Sequence, residues 1–371
     1  MSHFARPGGL ILAAVLATPT IAASDGQSSY DRLWSHANLY QADDGFVRSF
    51  ALSGRLQADA SYFDADEGDF DDVNWRRFRF GFKSGFAGDW MAQLEGDFDL
   101  NESSGDWYSR LTDAYIGWQP DDARDLRLFK HSAGFTLDGA TSSKKLLTLQ
   151  RSNLTNNLWF TAEYFTGASM KGELENNWDY RVGIFSSDGN EEWSEFDAGY
   201  FTLTSAGYNW ANALEIKNAT VRLDYVYNER DENANTRDFS NVITLSSQWE
   251  NGDWGLWTDL GSGRGHLGQS DIVGLSVMPF YNISELVQMV GRYTYIDSDD
   301  ANGIRLGRYE NEIVDGRGDK YNELYLGVNL FFYGHKFKWQ TGLQFSRLED
   351  NAEDGGEYRG WGISTGLRFS W

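Results

Sequence analysis

"NELYLGVNLFF", residues 322–332, changes character at every step. In an extended chain Leu324, Leu326, Val328, Leu330 and Phe332 share one face, while Glu323, Tyr325, Gly327 and Asn329 share the other. The next segment repeats the pattern, with Phe337, Trp339, Leu343 and Phe345 opposite Lys338, Gln340, Gly342, Gln344 and Ser346. The last segment does so again: Trp361, Ile363, Leu367, Phe369 and Trp371 face away from Gly360, Gly362, Ser364, Gly366, Arg368 and Ser370. These polar faces carry small groups rather than bulky ones. That suits a wet lumen better than the packed core of a soluble sandwich.

Working outward, the same alternation places sixteen strands near 47–63, 74–86, 90–100, 107–118, 125–135, 158–171, 178–186, 198–210, 219–227, 240–250, 253–262, 271–280, 284–297, 320–333, 336–348 and 358–371. Their connections alternate in length. One set is long and charged, including 64–73, 136–157, 187–197, 228–239 and 298–319, and the other consists mostly of short turns such as Asn251-Gly252 and Gly334-His335. Long outer loops alternating with short turns predict an all-β fold, a 16-stranded antiparallel transmembrane β-barrel in the outer membrane of a Gram-negative bacterium, with both termini inside. The terminal Trp371 on an apolar face matches the ending that barrel assembly machinery reads. The many Trp and Tyr residues suit the two interfacial girdles.

Composition narrows the chemistry. The 371 residues include 40 Gly, four Pro and no Cys, which excludes a disulfide framework, a thiolate metal site and a cysteine nucleophile. Residues 1–23, with Arg6, an apolar run from Leu10 to Leu16 and Ala22-Ala23, read as a signal peptide. An N-terminal periplasmic segment, 24–46, and the barrel, 47–371, follow. No later stretch reaches about eighteen apolar residues, so a helical membrane protein is excluded, whereas a barrel is not.

The formal net charge is −23. Even so, "NWRRFRFGFKSGF" (74–86) gathers Arg76, Arg77, Arg79 and Lys83 between phenylalanines. If Phe78, Phe80 and Phe82 face lipid, Arg77, Arg79 and Lys83 face the lumen, because a lipid-facing cation near the midplane costs about 2–4 kcal/mol. Arg76 falls outside that set by parity. An antiparallel register across the turn at Gly88 pairs Arg79 with Asp97, Arg77 with Asp99, Lys83 with Gln93 and Gly81 with Glu95. Two readings of these cations stand side by side: a wall ladder of salt bridges, and donors for a passing anion.

The loop 136–157 is the third outer loop, and it keeps Lys144, Lys145 and Arg151 against Asp138 alone. Folded inward, it would narrow the pore and concentrate anions; left outside, it would be a solvated loop touching lipopolysaccharide phosphates or a subunit interface. Arg127 and Lys130 have opposite parity, so both reach the lumen only across a bulge. The acidic runs, Asp64 to Asp72, Asp297 to Asp300, Glu191-Glu192 and Glu349-Asp350, lack calcium-loop spacing and are expected to be solvated. His131-Ser132 is adjacent in sequence, and strand neighbours point apart, so no catalytic dyad is expected. The composition calls for no enzyme activity, cofactor, metal or nucleic acid.

At "GRLQADASYFD", "WRRFRFGF", "DAYIGW" and above all "FKHSAGFTLDGATSSKKLLTLQRS", the chain resembles the phosphate-selective porins of the O and P type over most of its length. Thr141-Ser142-Ser143 followed by Gln150-Arg151-Ser152 is the most specific part. The chain has His131-Ser132 and Gln150 where the family often has Pro and Glu. The resemblance implies a homotrimer of sixteen-stranded barrels, an inward third loop, and passage of phosphate or polyphosphate. It favours Lys130 for the pore, where simple alternation favours Arg127. The expected anion pathway is therefore Arg77, Arg79, Lys83, Arg127, Lys130, Lys144, Lys145 and Arg151, opposed by the lumen carboxylates Glu95, Asp97 and Asp99. A general or weakly cation-preferring porin is the rival, because those carboxylates could cancel the arginines; a structural or adhesive barrel would have no use for an inward cationic loop.

Overall fold

The computed structural model describes residues 28–371 except 104, 161, 162, 190, 191 and 354. The expected signal segment and Glu191 lie outside the described residues. Residues 28–37 belong to a unit of their own. It contains helix α1 (Ser29–Ser35), started by a capping box in which Ser28 accepts from the Asp31 backbone and Asp31 accepts in return.

From Asn38 onward seventeen strands form one sheet, and Ile304–Arg305 with Arg317–Gly318 form a separate short ladder. The four-residue Asn38–Gln41 only lies along the edge of the next strand. The other sixteen are β1 (Val47–Ala65), β2 (Gly68–Phe86), β3 (Trp90–Phe98), β4 (Tyr108–Asp121), β5 (Arg124–Ser132), β6 (Tyr164–Glu173), β7 (Trp178–Ser186), β8 (Tyr200–Asn209), β9 (Asn218–Asn228), β10 (Phe239–Asn251), β11 (Trp254–Gly265), β12 (Ile272–Asn282), β13 (Val287–Ser298), β14 (Lys320–His335), β15 (Phe337–Glu349) and β16 (Tyr358–Ser370). Each pairs antiparallel with its neighbour, and β16 returns to β1 from Ser370↔Arg55 to Gly360↔Ala65. The closed ring leaves no open edge around the wall.

The alternation sorts side chains as the sequence predicts. In β14 Leu326 is 51% exposed on the outer wall, while Glu323 is 3% exposed inside. Leu223, Leu245, Leu260 and Met289 likewise face out on their own strands. An outer belt of this kind is stable only against hydrocarbon.

The loop ends differ from expectation in one place. Residues 64–73, expected as a long loop, are mostly strand: Asp64 pairs with Asp69 and Tyr62 with Asp71, leaving a tight turn at Asp66-Glu67. Alternation is hard to recognise there because Asp occupies both faces. The expected loop 136–157 is instead longer: β5 ends at Ser132 and β6 begins only at Tyr164 rather than near 158. It contains α2 (Leu137–Ala140) and α3 (Asn153–Leu158).

That loop lies inside the barrel. Phe135, Leu154, Leu158 and Phe160 are fully buried against wall residues including Phe165, Phe201, Val226 and Phe239. Phe160 meets Phe135, Phe165 and Phe201 edge to face, at ring separations of 5.1, 6.2 and 5.0 Å. Each such side chain contributes roughly 1.5–3 kcal/mol when buried, so this packing fixes the loop to one side of the lumen. The loop 299–319 folds onto the same cluster through Ile304, Leu306 and Val314.

Candidate functional site

Polar wall residues of widely separated strands hold the loop 133–163 at one depth. Asp224 of β9 accepts from the Thr136 backbone N–H at 3.1 Å, and Asp259 of β11 accepts from that of Leu137 at 2.9 Å. Arg292 of β13, paired with Glu323 at 2.7 Å, donates to Thr148 Oγ1 and to the Gln150 carbonyl, both at 2.8 Å. Lys338 of β15 donates to the Leu146 carbonyl at 2.5 Å, and Asn329 of β14 to that of Leu147 at 2.8 Å. Arg55 of β1 donates to Ser143 Oγ at 2.7 Å while pairing with Glu95 at 3.3 Å. A buried backbone carbonyl or N–H left without a partner costs about 1–3 kcal/mol, so these wall groups are what allow irregular backbone inside the barrel.

The ends of the loop are latched by charge. Glu163 lies 3.6 Å from Arg79 Nη2 and 3.7 Å from Arg151 Nη2. Burial opposes its ionisation, yet Arg79, Arg151 and Arg77 together bring its carboxyl down to about 2. Arg151 also donates to the carbonyls of Asp138 (2.9 Å) and Thr141 (3.3 Å) and stacks 4.4 Å from the Trp159 ring. At Gly139 a Cβ would come within 2.9 Å of that indole, so the turn takes glycine.

Between this loop and the wall from β1 to β7 a cavity of about 280 Å³ remains. Arg55, Arg127, Lys171 and Arg181 line it, against Asp113 and Glu163, with Thr141 to Ser143 forming the loop side. Arg127 is held at 2.9 Å by Asp125, which also draws Lys171 to 3.5 Å. The Arg127 guanidinium lies 4.7 Å over the Tyr115 ring. Four cations against two carboxylates make the lining basic in a chain of net charge −23.

The expected residues distribute unevenly. Arg79 is buried between Asp97 (3.2 Å), Glu163 and the Tyr164 hydroxyl, so it joins wall to loop. Glu95 is buried on Arg55 and Ser53, and Asp97 also lies 4.0 Å from Arg110. Lys83 is exposed opposite Gln93. Lys144 donates to the Trp371 carbonyl at 3.2 Å; burial and Arg55 bring its ammonium down to about 7, with Glu95 opposing. Lys145 is exposed at the same turn, its backbone N–H on the Ser142 carbonyl.

Three expectations are corrected. The register holds for Arg79–Asp97 and Lys83–Gln93, but the ladder stops at Phe78↔Phe98, and Asp99 accepts from Asn101 rather than facing Arg77. Arg77 instead donates to Gln57 at 3.1 Å. Arg76, excluded by parity, sits at a bulge where Gln57 pairs with Arg77 and Ala58 with Trp75; its guanidinium faces Asp59 and Tyr309 inside the barrel. Lys130 is turned away from the cavity. Phe129 adopts φ 81°, sends its ring outward onto Trp193, and leaves Lys130 donating to the Glu192 carbonyl at 2.6 Å.

Arg55, Lys171, Arg181 and Asp113 were missed. The parity of Arg55 was legible, since Ser53, Arg55, Gln57, Asp59 and Ser61 alternate with Gly54, Leu56, Ala58 and Ala60. What the sequence does not carry is the depth at which the loop crosses.

A second inward element, in the loop 299–319, is held against the wall beside the first. Tyr309 donates to Asp59 at 2.9 Å, and Glu310 accepts from Gly307 N–H (2.8 Å), Gln344 (2.9 Å), Tyr321 (3.0 Å) and Ser346. Burial, with Glu323 beside it, pushes the Glu310 carboxyl up to about 7. The protonated acid is thus favoured in the folded loop: its contribution is full below about pH 4, the ordinary Glu value, and is lost as pH rises through about 7. The loop 299–319 should be cleaved faster by protease at pH 8.5 than at pH 5.5, and Glu310→Gln should abolish the difference. Equal rates in the unmodified chain would contradict this.

Comparison with known proteins agrees with the architecture. The description of the phosphate-selective porins O and P fits residues 50–264. Among solved structures, an anion-selective porin from Comamonas acidovorans superposes with a TM-score of 0.60 at 12% identity, over 87% of this chain and 99% of that one. Salmonella typhi OmpF gives 0.64 at 11% identity, covering 90% and 100%, and the trimer form of Vibrio cholerae OmpT gives 0.55 at 11%, covering 87% and 99%. At these identities the likeness is one of fold. No curated protein sequence matches the chain.

Proposed function

Because the chain belongs to the phosphate-selective porin O and P family, and is thus an outer-membrane porin of a Gram-negative bacterium, we propose that its channel passes small anions such as phosphate or polyphosphate in preference to cations. The observation that carries this reading is the cavity between the loop 133–163 and the wall. Arg55, Arg127, Lys171 and Arg181 outnumber Asp113 and Glu163 there. Fixed charge between low-dielectric walls concentrates counter-ions locally, and the acidic outer loops do not reverse that.

Of the residues expected from sequence, Arg127, Lys83, Lys144 and Arg77 belong to this pathway as wall or loop cations. Arg79 and Arg151 act on it by fixing the loop. We also infer a homotrimer, with lipid on the outer belt and lipopolysaccharide at the rim; the OmpT trimer form is consistent with this. The channel is passive, and no step of catalysis is assigned to it.

Phosphate added to a chloride-conducting bilayer should lower the current, because guanidinium forks hold a multiply charged oxyanion longer than chloride. An unchanged chloride current at millimolar phosphate would argue for a general porin.

A further inference from the structure

Away from the cavity, three arginines meet above α3. Arg305 and Arg317 stand directly opposite each other in the short ladder that pairs Ile304–Arg305 with Arg317–Gly318. Their Cβ atoms are therefore about 4.5–5.5 Å apart on one face. Arg237 arrives from the loop 229–238 and donates from Nη2 to the Asn156 carbonyl at 2.9 Å. The next residue, Asn157, accepts the Arg305 backbone N–H at 2.9 Å. Three separate segments thus bring like charge onto the last turn of one short helix.

The fully enclosed wall arginines Arg55, Arg292 and Arg368 each have a carboxylate, respectively Glu95, Glu323 and Asp59, while Arg77 and Arg181 donate singly to Gln57 and the Gly134 carbonyl. Here none of the three arginines forms an ion pair with a described residue. Among the described residues, Asp238 is the one carboxylate that acts on Arg237 and Arg305, from farther off. Burial first, and then mutual repulsion, brings Arg237 down to about 9 and Arg305 to about 10. Directly opposed like charges destabilise a strand pair. The donors are also in surplus: Arg237 Nε is buried without a partner, no described residue accepts from the Arg305 guanidinium, and Arg317 gives only Nη1 to Gln269, at 3.1 Å.

We propose that Arg237, Arg305 and Arg317 form a second anion site, separate from the cavity, that holds a phosphate group on the loop side of the barrel. Guanidinium forks match the geometry of a tetrahedral oxyanion, and a multiply charged one relieves the repulsion among all three. The group could come from free phosphate in the medium or from the headgroup of a phosphorylated lipid. None of these residues lines the cavity, so the site stands or falls independently of ion preference.

The test uses the full chain, purified in detergent and stripped of lipopolysaccharide, titrated with inorganic phosphate by calorimetry at low salt. The unmodified chain should show a binding step that weakens at least about tenfold in R237Q/R305Q, where two charge-assisted donors are lost. Arg127→Gln/Lys171→Gln should retain that step. If the lipid is the source, phosphorylated lipid A should co-purify with the unmodified chain and be depleted in the double variant, whereas dephosphorylated lipid A should not discriminate. Arg317→Gln, which leaves the α3 contacts intact, repeats both arms if the double variant folds poorly. No difference between the unmodified chain and these variants, with either phosphate or phosphorylated lipid, overturns the site.

Discussion

Replacing Arg127 and Lys171 with glutamine should lower the anion-to-cation permeability ratio by at least about threefold. The two side chains share Asp125, so their removal takes away two cations and also releases a carboxylate toward the cavity. The lining would then keep Arg55 and Arg181 against Asp113 and Glu163, with Asp125 unmasked. A unit charge about 6 Å from a passing ion is worth roughly 0.7–3 kcal/mol for an effective dielectric between bulk water and a protein surface. One such loss at the weak limit already gives about threefold. The change should be larger at 0.1 M salt than at 1 M, where the screening length falls to about 3 Å. An unchanged ratio would move the selectivity site away from this wall.

The second large effect is expected from Glu163→Gln. Breaking one buried ion pair costs about 3–5 kcal/mol because the remaining charge stays buried, and here one carboxylate serves both Arg79 and Arg151. Arg79 retains Asp97, so the greater loss falls on Arg151 and the end of the loop. The barrel wall should survive, since its ladders do not pass through Glu163. The variant should show higher single-channel conductance with added flicker, while its unfolding in detergent stays close to that of the unmodified chain.

The acid response follows from the same group. Its folded value, about 2, lies below the ordinary Glu value of about 4.3, so its stabilisation is present above that value and declines as pH falls toward 2. The unmodified channel should stay quiet at pH 5 and begin to flicker below about pH 3; the glutamine variant should flicker at both. A quiet variant would mean that the apolar packing around Phe160 holds the loop unaided.

The fold was legible because lipid imposes a rule on every second residue, and β14, β15 and β16 obey it along most of their length, the one register shift lying at the β14 end between Phe331 and Tyr333. It became unreadable where the rule lapses. At the tip of the β1–β2 hairpin, above the lipid belt, Asp on both faces hid a strand. A single extra residue at Arg76 reversed parity, and a positive φ at Phe129 turned that one ring outward; neither has a local signature strong enough to foresee.

The candidate site was harder for a different reason. Asp224, Asp259, Arg292 and Lys338 anchor the loop from strands some 90 to 190 residues away. Periodicity tells which of these face inward but not which meet the loop. Arg151 and Arg79 were recognised as important cations, yet their buried partners make them fasteners of the loop more than lining of the path. The charge that does line the cavity includes Arg55, Lys171 and Arg181, each ordinary in its own strand and notable only once the loop is seen opposite.

The most direct test of the account is the zero-current potential of the unmodified protein in a planar bilayer across a tenfold potassium chloride gradient. The sign should correspond to chloride preference, reduced when phosphate is present. A potential of the opposite sign, showing preference for potassium, would contradict the basic cavity as the selectivity-determining path while leaving the barrel and its family intact.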